Sequence, residues 1–230
     1  MNKKLVLIRV DANHRRGMGH LFRMINLSGV LFSMGVESLF VIREDEVAER
    51  ILGEKEASYT VYPSGTSELE IIQDILKTAK DFPDVWIYDI LNTEISWIRS
   101  IKEKNVKVVT FDDEAGGLEA ADLVINSIVH SWGNYDPSSA RARLLEGAEY
   151  AVLNSCIFEL RKERTIRPGH PFSIGITMGG SDAYGVTISI VEALDSFASG
   201  EHEIVVFTGP HFRYMLDLEK VVEKCRHKVV

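Results

Sequence analysis

The sequence predicts an α/β protein built on mostly parallel sheet, and three observations carry that prediction. Short apolar runs alternate with helix-length amphipathic segments, the pattern of repeated βαβ units. Glycine turns, Gly17-Met18-Gly19 and Gly179-Gly180, follow two of the expected strands and open helices. Acidic residues, Asp89 and Asp112, fall where other strands reach their carboxyl ends. Open α/β sheets bind ligands along that edge.

The first strand is read over 5–8, Leu-Val-Leu-Ile. Leu21, Met24, Leu27 and Leu31 then recur at helical spacing within 20–34, and Gly35 is the expected stop. A strand over 38–42 and a helix over 45–52 follow, then a strand over 59–62 and a helix over 68–80. Next come a strand over 85–88 ending in Asp89, a helix over 94–104 and a strand over 106–111 ending in Asp112-Asp113. Strands over 123–126 and 150–153 complete this run. Arg161, Lys162, Arg164, Arg167, Pro168, Gly169 and Pro171 then form a basic stretch broken by Pro and Gly, read as a linker. A second cycle has a strand over 172–177, a helix over 184–198, a strand over 203–207 and a helix over 213–225. Two units are expected, 1–164 and 165–230, the second shorter than an ordinary domain and apparently truncated.

Of 230 residues, 45% are hydrophobic and 26% charged, enough apolar material for a sizeable core. The formal charge of −8 argues against nucleic acid, whose binding rewards clustered Lys and Arg. One local positive pocket for a small anion remains compatible with it. Cys156 and Cys225 are far apart and imply neither a zinc site nor a disulfide framework. The apolar run at 5–8 is too short for a signal-peptide core, and no run approaches the ~20 apolar residues of a membrane span. A cytoplasmic protein without a membrane partner is expected.

Two turns carry the chemistry. Arg9-Val10-Asp11 leads into Gly17-Met18-Gly19-His20, a strand running through a glycine turn into a helix. Glycines let backbone N–H groups approach a phosphate, and the helix start adds partial positive charge. His20, at that start, can take or give a proton near neutral pH. The plainer alternative is a strand–turn–helix corner with His20 capping or merely exposed. The second turn, Thr177-Met178-Gly179-Gly180-Ser181-Asp182, again lies between strand and helix. Its backbone and Ser181 can bind diphosphate while Asp182 caps the helix; a bare helix cap is the alternative. Two such turns, one per unit, point to a ligand in a cleft.

Other groups are weaker. Asp89 is a candidate for contact with ligand, whereas Asp112-Asp113 read more simply as turn residues than as a metal site. Trp132-Gly133-Asn134-Tyr135 can stack on a sugar or base, or pack as a surface loop. His130, His170 and His211 lack metal-ligand spacing.

Taken in order, these residues resemble a known family. Arg9-x-Asp11 followed by Gly17-x-Gly19-His20-x-x-Arg23 is similar to the opening motif of UDP-2,4-diacetamido-2,4,6-trideoxy-β-L-altropyranose hydrolases. These act in pseudaminic acid biosynthesis and are related to spore-coat polysaccharide proteins. Asp89, Phe111-Asp112-Asp113, the 121–126 segment, Glu146-Gly147-Ala148-Glu149-Tyr150, Met178-Gly179-Gly180-Ser181-Asp182 and Thr208-Gly209-Pro210-His211-Phe212 continue the match. The resemblance implies a GT-B-like fold of two Rossmann-like domains. It also implies a UDP-sugar substrate and attack by water at the anomeric carbon with inversion, without metal or other cofactor. By the same resemblance His20 is the general base, and Asp11 orients it or touches the sugar. Gly17, Gly19, Gly179, Gly180 and Ser181 hold the diphosphate, and Arg9, Asp89 and Asp182 join the substrate site. Asp89-Ile90-Leu91 departs from the family's Asp-His-Tyr, and Asn154 stands where the family has an arginine. A glycosyltransferase of the same fold and a noncatalytic nucleotide-sugar binder are the alternatives.

Overall fold

The computed structural model describes residues 4–12, 17–79, 82–127, 142–163, 173–197 and 202–230. The chain divides into two compact units, 1–11 with 20–155 and 12–19 with 156–230. The first unit's packing thus ends before the basic stretch, most of which (164–172) lies outside the described residues, as do His130 and the aromatic loop at 132–135.

The first unit alternates strands and helices: β1 (Lys4–Val10), α1 (Gly19–Ser33), β2 (Val36–Arg43), α2 (Glu46–Glu54), β3 (Ser58–Tyr62), α3 (Glu68–Thr78), β4 (Val85–Asp89), α4 (Ile95–Lys102), β5 (Lys107–Phe111), β6 (Leu123–Asn126) and β7 (Arg143–Glu146). Local chemistry sets their ends. Gly35 takes a φ of +77° after α1, a conformation that favours glycine. Asp45 caps α2 by accepting from the Ala48 N–H, and Ser67 with Glu70 forms a capping box at α3.

All seven strands are parallel, in the order β3-β2-β1-β4-β5-β6-β7. From β1 the chain runs outward to β3, then crosses back to β4 on the other side of β1. The switch point of the sheet therefore lies between β1 and β4. Alternation along the strands sorts their side chains by face. Leu7, Val41, Trp86, Tyr88 and Val108 pack with Ile71, Ile72 and Ile75 of α3 and with Ile98 and Ile101 of α4. In register, Arg9 pairs with Tyr88 and Val10 with Asp89. Arg9 thus shares the α3–α4 face, and Asp89 points to the opposite one.

The second unit contains α5 (Ser155–Lys162) from Cys156 onward, β8 (Ser173–Thr177), α6 (Val186–Phe197), β9 (Glu203–Phe207), α7 (Met215–Val222) and β10 (Lys228–Val229). Its parallel sheet has the order β10-β9-β8, and its core gathers Ile176, Val191, Ile204 and Leu218. Cys156 and Cys225 are not joined in a disulfide.

One expected strand is corrected. Residues 148–150 form a 3-10 turn entered through Gly147 at φ +128°, and 151–154 are irregular. The strand beside β6 is β7, at Arg143–Glu146. Its four residues carry charge at both ends and form a half-exposed sheet edge, so the apolar alternation that marks a longer strand is missing. The short α5 and β10 escaped prediction for related reasons: α5 buries none of its residues, and β10 spans only two.

Candidate active site

At the carboxyl edge of the first sheet, α1 begins just after the chain leaves β1. His20 stands in its first turn, and Arg23 follows three residues later on the same helix face. Asp89, the last residue of β4, lies opposite. His20 Nδ1 is 2.7 Å from Asp89 Oδ1, and Arg23 Nε donates to Asp89 Oδ2 at 2.9 Å. Arg23 also donates through Nη2 to Asp89 Oδ1 and through Nη1 to Asp112 Oδ2.

This geometry assigns the proton on the imidazole. Nδ1 faces a carboxylate oxygen at 2.7 Å and a guanidinium nitrogen, a donor only, at 3.2 Å. A lone pair on Nδ1 would oppose the nearer carboxylate, so Nδ1 carries hydrogen and donates to Asp89. Nε2 is then the basic nitrogen. It has no hydrogen-bond partner among the described residues, and the side chain is 21% exposed. Burial opposes the charge of Arg23, but Asp89 and Asp112 outweigh it and raise its pKa above the usual guanidinium range.

The neighbouring acids at the end of β5 separate. Asp112 takes a left-handed backbone (φ +44°), turns its carboxylate to Arg23, and accepts from the Ser127 N–H at 3.1 Å. Asp113 turns away, accepting from the Thr93 hydroxyl and from the Thr93 and Ala115 N–H groups. Burial pushes Asp113 up to about 6, against the pull of those bonds. Among the described residues, no grouping of three or more His, Cys, Asp or Glu side chains has the arrangement to hold a metal ion.

Arg9 and Asp11 occupy a different place from the one expected of them. Arg9 is 0% exposed, with Nε on Glu68 Oε1 at 2.9 Å and Nη1 on Asp11 Oδ1 at 2.6 Å. Arg43 closes the group, donating to Asp11 at 2.8 Å and to Glu68 at 3.1 Å. Burial opposes the charge on Arg9, yet Asp11 and Glu68 raise its pKa above the usual range. Arg9 is enclosed in the protein, and the acid beside His20 is Asp89, not Asp11. The reason is strand alternation, which sets Arg9 and Asp89 on opposite faces. Arg23, Asp112, Glu68 and Arg43 were not among the expected site residues. The i, i+3 spacing of His20 and Arg23, read against acids at two strand ends, was the available signal.

The glycine turns belong to the second unit. Gly17 has φ +78° and Gly179 φ +71°, conformations that favour glycine, and a Cβ on Gly19 or Gly179 would meet nothing within 4 Å. These backbones are open to close approach. Gly180 is tightly packed instead: its Cβ would fall 2.5 Å from Met18 Cβ, and its carbonyl accepts from the His211 N–H at 2.9 Å. Ser181 is 5% exposed. Asp182 accepts from the Val186 N–H at 2.8 Å and the Thr187 N–H at 2.9 Å, capping α6. Ile90, in the position where the resembling family has histidine, is buried in the α3–α4 core, and Asn154 donates to Asn26 Oδ1 at 3.2 Å.

No family model matches the chain. It is 29% identical over 228 residues to an uncharacterized protein, MJ1062, of Methanocaldococcus jannaschii, covering 95% of this chain and 45% of that one. The chain therefore spans less than half the length of that curated relative. Among solved structures it is similar to a glycosyltransferase from Rickettsia africae (TM-score 0.57, 13% identity, 100% of this chain and 68% of that one). It is also similar to MurG of Acinetobacter baumannii (0.54, 11%, 99% and 67%). A third similar structure is Anabaena HepE in complex with UDP (0.53, 14%, 99% and 68%). Among the described residues no helix is long and apolar enough to cross a membrane. The chain has an α/β, GT-B-like fold.

Proposed function

We propose that this chain acts on a nucleotide sugar, as a UDP-sugar hydrolase with His20 as general base. The observation that carries the reading is the His20–Asp89 pair at the switch point of the sheet. Asp89 fixes hydrogen on Nδ1 and leaves the half-open Nε2 to accept a proton. Water gives its proton to Nε2 as its oxygen bonds to the anomeric carbon. The bond from that carbon to the diphosphate oxygen breaks with inversion, and UDP leaves with the electron pair. The open backbones of Gly17, Gly19 and Gly179, with Gly180, Ser181 and the start of α6 that Asp182 caps, form the diphosphate site. His20 follows Gly19 directly in the chain, so proton acceptor and phosphate turn are covalently adjacent. The resemblance in motif order extends the proposal to nonulosonic acid or surface-polysaccharide biosynthesis and to the diacetamido-trideoxy-altrose sugar.

The test is UDP release from a panel of UDP-sugars, that compound included, by wild type, His20→Ala and Asp89→Asn. Wild type is expected to release UDP. His20→Ala should lower the rate by about 10²–10⁴-fold, and Asp89→Asn by on the order of 10²-fold or more through loss of the oriented tautomer. No release from any sugar, alongside UDP binding by calorimetry, would sink the hydrolase reading. A glycosyltransferase reading is favoured by the fold shared with the Rickettsia africae enzyme. It requires that release depend on an added sugar or lipid hydroxyl.

A further inference from the structure

We infer that Arg23 is a positioning residue for His20, fixing the orientation and balancing the charge of the carboxylate that directs the imidazole. The inference rests on the reading of His20 as base, and four observations support it. Arg23 contacts both oxygens of Asp89, through Nε at 2.9 Å and through Nη2. It is itself held by Asp112 from the neighbouring strand, where the left-handed backbone of Asp112 turns that carboxylate toward α1. The ring of Phe111 supports it from below, 5.5 Å from the guanidinium carbon to the centroid. Its Nη2 lies 3.2 Å from His20 Nδ1, so cation, carboxylate and imidazole form one contiguous group.

The physical consequence is twofold. A carboxylate held at both oxygens cannot rotate away from Nδ1, and the planar fork of arginine makes that grip where an ammonium group cannot. Among the described residues, His20 Nδ1 meets Asp89 from β4 and Arg23 from its own helix, and Arg23 in turn meets Asp112 from β5. Arg23 is the cation that offsets the two acids it touches. Without Arg23, the Asp89 carboxylate is free to turn and Nδ1 loses its fixed acceptor.

The experiment is nitrogen NMR of histidine-labelled protein near pH 7.5, with UDP release measured in parallel. Wild type is expected to show hydrogen on His20 Nδ1. In Arg23→Met much of that signal should move to the Nε2–H form. UDP release should fall about tenfold or more in kcat with KM within about twofold. A folded Arg23→Met whose His20 keeps the wild-type nitrogen pattern overturns the inference. If that variant does not fold, Arg23→Lys carries the test. It should lose part of the Nδ1–H population, and an unchanged pattern is again fatal. The nitrogen signals need no substrate, so failure of wild type to release UDP would remove the hydrolase reading while leaving this result to be judged separately.

Discussion

Two arginine–carboxylate groups stand at the carboxyl edge of the same sheet, on opposite faces, and they differ in one respect that matters. On the α3–α4 face, Arg9, Asp11, Glu68 and Arg43 pair with one another around a guanidinium with no exposure, and Arg43 also donates to the Thr66 carbonyl. On the α1 face, Arg23, Asp89 and Asp112 make a similar network, but it includes an imidazole whose Nε2 has no partner among the described residues. The first group ties β1 and β2 to the start of α3. The second directs its charges at a group that can exchange a proton. A cluster of charges at a ligand-binding edge is therefore not a site by itself; the open position on one member distinguishes it.

The sharpest way to break this comparison is to disturb the closed group. Glu68→Ala removes the partner of Arg9 Nε and leaves a buried guanidinium only partly paired. Removing one member of a buried ion pair costs about 3–5 kcal/mol, far above the effect of a surface substitution. Denaturant unfolding should show that loss, while the fraction that remains folded keeps its rate of UDP release per molecule. A Glu68→Ala protein of undiminished stability but without activity would reverse the roles of the two groups.

Much of this was legible in the sequence. Apolar runs and helical spacing placed six strands and four helices of the first unit in order, because most of those segments turn apolar residues toward the core. The turn leading to His20 and the acid at Asp89 were legible too, since glycine and strand-end acids have local signatures. What the sequence did not display was the pairing. Arg9 and Asp11 flank the turn, yet the parallel register of β1 against β4 turns Arg9 away from Asp89. Arg23 reaches acids 66 and 89 residues away, a relation fixed by strand order alone. The same limit applies to β7, whose pairing with β6 is its chief mark as a strand.

A smaller effect belongs to the acid that turns away from this group. Asp112 belongs to the open group, whereas Asp113 is buried with Thr93 and pushed up to about 6. An unfolded aspartate releases its proton near ~4, so between about 4 and 6 the folded state binds more protons than the unfolded one. The stability contributed by protonated Asp113 is complete below ~4 and is lost as pH rises through about 6, on the order of 2–3 kcal/mol in all. Asp113→Asn should flatten that part of the stability curve measured by denaturant midpoints. An unchanged slope would mean that Asp113 is not the carboxylate responsible, and that another buried acid of the edge holds the proton.

The smallest expected effect lies in the second unit, where a carboxylate is fully used by backbone and the sign reverses. Burial opposes the charge of Asp182, but the Thr187 and Val186 N–H groups outweigh it and hold its pKa below the usual carboxylate range. Its contribution is present above the unfolded value near ~4 and lost as pH falls through the lower folded one. Asp182→Ala deletes both bonds and places alanine at φ +43°, so the cap and the backbone conformation each add cost. Together they amount to about 1–2 kcal/mol. Hydrogen exchange should quicken at the Val186 and Thr187 amides while protection in β1 and β4 stays unchanged, because the lost bonds lie within one unit. Asp182→Asn, which keeps one acceptor oxygen and tolerates the left-handed backbone, should recover most of the loss. If it recovers none, the negative charge at the start of α6 contributes more than the two hydrogen bonds do, and Asp182 acts through the helix dipole.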